Sequence, residues 1–328
     1  MCKITVALSV YNVEQYLKAS IDCILRQTFS DFELLCIDDA STDSTWDILQ
    51  EYQRRDSRMR LVRQDRNKGL SVSRNLAIQK ARGDYLLMLD GDDLYADDML
   101  EKAYGKAVDF NAEMVLWDYV AFRTEEESQN RIKVPSELAD INPNDKVKLL
   151  RRPAFSPVRM TKRSVLHSLN IQFPVGLTKQ DIPVHWKLVT SLNNIVLIPE
   201  YFLFYRQQPN NTTSRRDRSV FSLAYVMDIT RRQLIEDGIY DSYKEEFIKK
   251  RLSLLQGMYD YVQPELKAEA LSIVRERLGE DEKTYLDTPN NELTTRIRDF
   301  YAMIDGSHWS TIKYKSYNLL RSIYRVFE

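Results

Sequence analysis

Residues 85–89, Tyr-Leu-Leu-Met-Leu, run without a break into Asp90-Gly91-Asp92-Asp93. The run has the length and content of a buried strand, with no polar side chain to face water. Such a strand must end where water or a ligand begins. Its three carboxylates therefore gather at a carboxyl end, where open α/β sheets bind ligands. Like charges this close repel one another unless a cation neutralises them, and all-oxygen ligands suit Mg²⁺ or Mn²⁺. The same residues also read as a solvated acidic loop opening a helix, because anions favour helix N-termini.

The flanking sequence alternates. Residues 4–10, 32–37, 58–63 and 113–117 read as strands, and residues 44–54, 71–81 and 97–111 as helices. A further helix carries Tyr16, Leu17, Ile21, Ile24 and Leu25 at helical spacing, with Asn12 placed to cap it. Ser44, with Asp47 three residues on, resembles a capping box. This alternation predicts an α/β fold, a mostly parallel sheet with helices on both faces. Right-handed crossovers set every strand's carboxyl end on one rim. Ser9, Asp38-Asp39 and Asp90 to Asp93 are then expected in one crevice, far apart in sequence.

Residues 124–153 turn polar and read as a surface excursion with a short helix over 144–151. A pair of strands is expected at 195–198 and 201–205. Residues 207–214 break the pattern, and helical spacing then dominates over 220–237, 243–262, 264–278 and 292–303. The change sets a boundary near 215, between a catalytic domain over 1–214 and a helical region over 215–328.

Among the 328 residues, 43% are hydrophobic and 29% charged, enough apolar content for a real core. A formal net charge of −1 argues against a nucleic-acid-coating protein. Cys2, Cys23 and Cys36 lack metal-ligand spacing and suit a reducing compartment. With no signal-peptide pattern at the start and no apolar run long enough to span a bilayer, a cytoplasmic location is expected.

Six segments, in order, resemble the family 2 glycosyltransferases with the GT-A fold (a Rossmann-like nucleotide-diphospho-sugar transferase fold), over residues 3–214. They are Val6-Ala7-Leu8-Ser9-Val10-Tyr11-Asn12, Gln27-Thr28-Phe29-Ser30-Asp31-Phe32-Glu33-Leu34, Asp38-Asp39-Ala40-Ser41-Thr42-Asp43, Asn67-Lys68-Gly69-Leu70-Ser71 with Arg74-Asn75, Gly83-Asp84-Tyr85, and Leu89-Asp90-Gly91-Asp92-Asp93. The resemblance implies an enzyme that takes a sugar from a nucleotide-sugar donor, a UDP-sugar first among them. It implies a bound Mn²⁺ or Mg²⁺ that stabilises the departing diphosphate as a Lewis acid. The metal would be held by Asp92 first and Asp93 second, with Asp90 in the set but nearer the sugar or ribose. Gly91 would leave room for the donor at the backbone. Asp39 would accept a hydrogen bond from the base, Ser9 and Tyr11 would wall it, and Asp38 would cap Ser41-Thr42 as an Asx turn. Arg74 is implied at the diphosphate, with a surface salt bridge as its other reading.

Direct displacement at the anomeric carbon needs a carboxylate to take the acceptor's proton. The resemblance assigns this to Asp181, in the stretch Gly176-Leu177-Thr178-Lys179-Gln180-Asp181, where Gln180 stands in place of the family's usual Glu. Arg206, in Tyr205-Arg206-Gln207, is implied as a phosphate contact, with Arg215 and Arg216 as rivals. No Gln-x-x-Arg-Trp motif is present, which points to addition of single sugars to a saccharide or lipid-linked saccharide in surface-polysaccharide assembly. Residues 309–327 form a basic, aromatic-rich amphipathic pattern. It suits packing on the catalytic domain, a homodimer contact, or peripheral contact with the inner face of a membrane. Two rivals remain at this level: a haloacid-dehalogenase-type phosphohydrolase, which also places Asp-x-Asp after a strand, and a non-catalytic nucleotide-sugar binder. A P-loop NTPase lacks its glycine-rich lysine motif.

Overall fold

The computed structural model describes residues 2–124, 136–208, 215–289, 291–304, 306 and 314. The chain divides into two compact units, Met1–Gly176 with Gln180–Asn211, and Leu177–Lys179 with Thr212–Glu328. In the first unit the elements follow in the order β1 (Ile4–Val10), α1 (Glu14–Leu25), β2 (Phe32–Asp38), α2 (Thr45–Arg55), β3 (Met59–Arg63), α3 (Leu70–Lys80), β4 (Tyr85–Asp90), β5 (Leu94–Tyr95), α4 (Met99–Asp109) and β6 (Met114–Phe122). Then come α5 (Lys146–Arg151), β7 (Arg159–Lys162), α6 (Arg163–Ser168), α7 (Asp181–Ser191) and β8 (Ile195–Arg206).

The strands make one sheet in the order β3-β2-β1-β4-β7-β6-β8-β5. β3, β2, β1 and β4 are mutually parallel. β7 is antiparallel to both β4 and β6, which turns β6 back to the direction of β4, and β8 runs parallel to β6. The carboxyl ends of β1, β2, β4, β6 and β8 therefore share one rim, as the alternating pattern predicts. β1, β2 and β4 are buried almost throughout, because apolar layers cover both sides of a sheet of this type. Ile4, Val6, Leu8 and Val10 join Leu17, Ile21 and Ile24 of α1 in one core, while α3 packs on β1, β2 and β4.

The expected strand pair at 195–205 is a single strand. Leu197 pairs with Leu116 and Tyr201 with Asp118, so residues 198–200 bulge opposite Trp117. Pro199 has no N–H to donate, and a bulge is where a strand tolerates it. β5 and β7 are absent from the sequence reading because two and four residues carry too little periodicity. The expected caps also differ. Neither Val13 before α1 nor Ser44 before α2 makes a side-chain cap bond. Asp43 accepts from the first N–H of both helices instead, and Asn12 stands at φ 51° with its side chain turned to Thr42.

Gly83 marks the tightest backbone approach. A Cβ there would lie 2.4 Å from the Thr5 nitrogen and 2.5 Å from the Ile4 carbonyl carbon. Gly83→Ala must push the turn before β4 off β1, so a loss of about 1–3 kcal/mol is expected. Urea unfolding measures it, and an unchanged midpoint would contradict the packing.

The second unit is helical, with α8 (Ser222–Glu236), α9 (Tyr240–Tyr261), α10 (Lys267–Arg277), α11 (Glu280–Asp287) and α12 (Thr295–Ile304). Phe247, Leu252, Leu255 and Met258 of α9 are fully buried, as are Phe300 and Tyr301 of α12. The buried Arg251 guanidinium meets Asp228 at 2.7 Å and Glu282 at 3.2 Å. α11 is polar along its length and lacks the apolar period that reveals the other helices. The amphipathic pattern over 309–327 lies outside the described residues, except for Tyr314, whose buried hydroxyl donates to Asp260 at 2.5 Å.

Candidate active site

The rim begins where β1 and β2 end. Thr42 N–H donates to Asn12 Oδ1 at 2.8 Å and Asn12 N–H to Ser41 Oγ at 3.1 Å, lacing the two loops together. Asp38 accepts from Ser41 N–H at 3.2 Å, the expected Asx turn, and pairs with Arg63 at 3.2 Å. Asp39 turns the other way. Its Oδ1 accepts from Lys68 N–H at 2.8 Å and Gln64 Nε2 at 2.7 Å, and its Oδ2 from Gly69 N–H at 2.7 Å. Asp39 thus fastens the loop that enters α3, where Gly69 takes φ 87°. Ser9 lies beside Asp90 in the β1–β4 register, and Tyr11 is 43% exposed at the mouth of the rim.

The acidic turn is fixed from the far side of the sheet. Tyr95 Oη donates to the Asp90 carbonyl at 2.8 Å and accepts from Asp90 N–H at 3.1 Å. Asp93 is 1% exposed, and its Oδ1 accepts Arg206 N–H at 2.8 Å. Arg206 Nε donates to the Asp92 carbonyl at 2.8 Å, with the guanidinium over the rings of Tyr16 and Phe122. Asp92 Oδ2 accepts from Gln208 at 3.1 Å. Gly91 meets packing rather than open space: a Cβ there would lie 2.6 Å from Val10 Cγ1. The room that the resemblance reserves for a donor is filled by Val10, which accounts for the glycine.

Burial, then the charge of Asp90, pushes the Asp92 carboxyl up to about 6. Burial, then Asp92 and Asp90, holds Asp93 well above the usual carboxylate range. Two carboxyls that resist ionisation side by side are a site short of positive charge. Among the described residues no group of three or more His, Cys, Asp or Glu is arranged to hold a metal by itself. Mg²⁺ is ordinarily held by one or two carboxylates plus substrate phosphates rather than by an all-protein cage. The acidic turn fits that mode, with Asp92 as the less buried acid.

Arg74 organises the rest. Its guanidinium is 3% exposed and spans two carboxylates, donating to Asp181 Oδ2 at 2.7 Å through one nitrogen and to Asp90 Oδ1 at 3.1 Å through the other. Asp181 opens α7, and its Oδ1 accepts from Ser156 Oγ at 2.5 Å, with Arg159 3.8 Å away. Burial alone would raise the Asp181 carboxyl, but Arg74 and Arg159 outweigh it and hold it below the usual range. Burial pushes Arg159 down to about 10. The structure therefore brings Asp90, Arg74 and Asp181 into one chain of charge, and Asp92, Asp93 and Arg206 into another. Tyr95, Ser156 and Arg159 were not singled out from sequence. No motif marks them, and only the fold shows what they hold.

Residues 5–169 match the family model described as glycosyl transferase family 2. Glycosyltransferase GlyA of Streptococcus pneumoniae is 36% identical over 124 residues, which is 38% of this chain and 18% of that relative. The chain spans 18–62% of the lengths of GlyA, GlyG of the same organism and EpsJ of Bacillus subtilis. Among solved structures, S. aureus TarS 1-349 aligns with a TM-score of 0.68 at 19% identity, covering 99% of this chain and 92% of that one. Its complex with UDP-GlcNAc aligns at 0.59 and 15% identity, over 92% of both chains. A mannosyltransferase from Pyrobaculum calidifontis in complex with GDP-Man and Mn²⁺ aligns at 0.54 and 17% identity, over 95% and 87%. At these identities the structural likeness shows a shared fold.

Proposed function

The chain belongs to glycosyl transferase family 2, and from that membership we propose that it transfers one sugar from a UDP-sugar to a saccharide or lipid-linked saccharide, with inversion, in cell-surface polysaccharide assembly. The observation that carries this reading is the buried bridge from Asp90 through Arg74 to Asp181. It ties the acidic turn, where a nucleotide diphosphate would sit, to an ionised carboxylate at the start of α7. The TarS complex with UDP-GlcNAc supports the uridine donor. TuaG, a putative teichuronic acid glycosyltransferase of Bacillus subtilis, supports the polysaccharide setting. The phosphohydrolase reading has no support beside the family match.

In this reading Asp92 first, then Asp93, with Asp90 in the set, would hold a divalent ion. The bound ion would supply Lewis-acid stabilisation of the departing phosphate. Asp181 takes the acceptor hydroxyl's proton. Ser156 and Arg74 fix its orientation and keep it ionised, so it is ready to accept at neutral pH, though as a weakened base. Tyr11 and Ser9 wall the base, and Asp39 meets it from the loop it already orders. On this reading residues 1–214 would carry catalysis, and 215–328 would serve the acceptor, a membrane surface or a second copy. No helix among the described residues is long and apolar enough to cross a membrane.

A thermal-shift screen of nucleoside diphosphates with Mn²⁺ tests the donor class. UDP should stabilise the protein by about 2.7 kcal/mol at a hundredfold excess over its Kd, and no response to any nucleotide would reject the reading. Asp92→Ala should remove the Mn²⁺-dependent part of that shift while leaving the fold intact. Because the folded Asp92 carboxyl titrates near 6 and the unfolded one at 3.8, protons favour the metal-free fold as pH falls through this window. Mn²⁺ binding should therefore tighten as pH rises from about 5 to 7, and a pH-independent Mn²⁺ affinity would argue against Asp92 as a ligand.

A further inference from the structure

Three half-buried aromatic rings from three elements meet on the rim beyond Asp181. Tyr119 comes from β6, Tyr205 from β8, and Phe155 from the segment before β7. Tyr119 and Phe155 have centroids 4.7 Å apart with planes at 77°, Tyr119 and Tyr205 are 6.4 Å apart at 86°, and Phe155 and Tyr205 are 6.1 Å apart at 45°. No two planes are parallel, so the cluster is not a closed stack.

Its place in the sheet is specific. Along β8, Tyr205 alternates with Phe204 and Arg206, and Arg206 lies against Tyr16 of α1. Tyr205 therefore projects to the opposite face. Ala121 pairs with Tyr205, and Tyr119, two residues back along β6, shares that face. On β4, Leu87 and Leu89 belong to the core on the α1 side, so Asp90 projects to the face of Tyr205. There it meets Arg74 of α3. Phe155 is adjacent in the chain to Ser156, whose hydroxyl donates to Asp181. Phe155 thus leads along the chain to the residue that bonds Asp181, and Asp90, on the face of the rings, is bridged to Asp181 by Arg74. The floor beneath is polar: Asp118, 3% exposed, takes bonds from Ser136 and Arg152.

We propose that Tyr119, Phe155 and Tyr205 form a saccharide-binding platform that seats one pyranose ring of the acceptor beside Asp181. The proposal rests on the glycosyltransferase reading. A pyranose presents a face of C–H groups that carry partial positive charge, and an aromatic ring presents a negative face. The rings pack against one another at 4.7–6.4 Å, the ordinary separation of tilted and edge-to-face pairs, so a sugar would lie across the cluster rather than between its rings. Apolar walls with a few fixed polar groups are the usual makeup of such sites.

Saturation-transfer NMR on the full chain tests this, with the methyl glycosides of glucose, galactose and N-acetylglucosamine as probes, in the presence of UDP and Mn²⁺. Ring C–H protons of at least one glycoside should receive saturation. Binding should weaken about fivefold in Tyr119→Leu and in Tyr205→Leu, which keep apolar bulk but lose the ring face, and recover in Tyr119→Phe and Tyr205→Phe. The UDP thermal shift of each variant reports that it has folded. Saturation of no glycoside by a wild-type protein that responds to UDP overturns the platform, as does equal saturation in wild type and leucine variants. A glycoside signal without any UDP response upholds the platform and instead rejects the donor reading.

Discussion

Arg74→Met is expected to lower folding stability by about 3–5 kcal/mol, the usual consequence of removing one partner from a buried ion pair. The guanidinium is 3% exposed and is shared by Asp90 and Asp181, whose side chains are 29% and 14% exposed. Methionine fills much of the volume but leaves two carboxylates facing each other across a desolvated gap. Arg74→Lys should fall between, because one ammonium cannot reach both acids as a planar fork does. Urea unfolding at pH 7 measures the loss. Adding Asp90→Asn to Arg74→Met should restore part of it, since the two sites are directly coupled.

The pH dependence has a definite sign. In the wild type the Asp181 carboxyl is depressed below 3.8, so its contribution is present above that value and lost as pH falls through the depressed one. Burial raises Asp90 despite Arg74, and that group acts in the opposite sense. Without Arg74 both carboxyls should titrate high, so the variant should regain stability as pH falls toward about 5. Unfolding indistinguishable from wild type would show that the bridge carries no structural weight, leaving Arg74 to the diphosphate.

The second large effect falls on chemistry. Asp181→Asn should reduce sugar transfer by about 10²–10⁴-fold, the range for a lost general base. The UDP thermal shift should persist, because the proposed role gives Asp181 to the acceptor rather than to the nucleotide. Asparagine has one oxygen where Asp181 uses two, Oδ1 for Ser156 and Oδ2 for Arg74, so the fold should survive on the remaining Arg74–Asp90 pair with a loss of about 1–3 kcal/mol. Transfer within threefold of wild type, about 0.6 kcal/mol in barrier height, would move the base elsewhere.

How much of this could be read in the chain depends on distance along it. β1, β2 and β4 stand out because burial on both faces leaves continuous apolar runs, and Asp38-Asp39 and Asp90 to Asp93 stand out because charge follows those runs directly. The Arg74 bridge joins positions 16 and 107 residues apart. No local period records it, and from sequence Arg74 reads as a diphosphate contact or a surface salt bridge, not as a buried link between two acids. Pro199-Glu200 reads as a turn because a bulge and a turn use the same residues. Asn12 reads as a cap because a capping side chain and a loop-lacing one share the same chemistry, and Ser44 bonds Glu14 through its backbone N–H. Gly91 reads as space for a ligand because the side chain that fills it, Val10, lies 81 positions earlier.

The hydrogen bond from Arg206 N–H to Asp93 spans 113 residues, and this sets a schedule for the site during synthesis. Residues 85–93 leave the ribosome long before β8 exists, so the acidic turn emerges without its backing strand or the Arg206 bonds. Domains form largely from the N-terminus onward, and contacts this distant in sequence close late. A nascent chain cut before residue 206 would carry every acid of the turn and still lack its geometry. Nucleotide binding would then begin only once β8 has joined the sheet, making the first bound donor a sign that the whole sheet is in register.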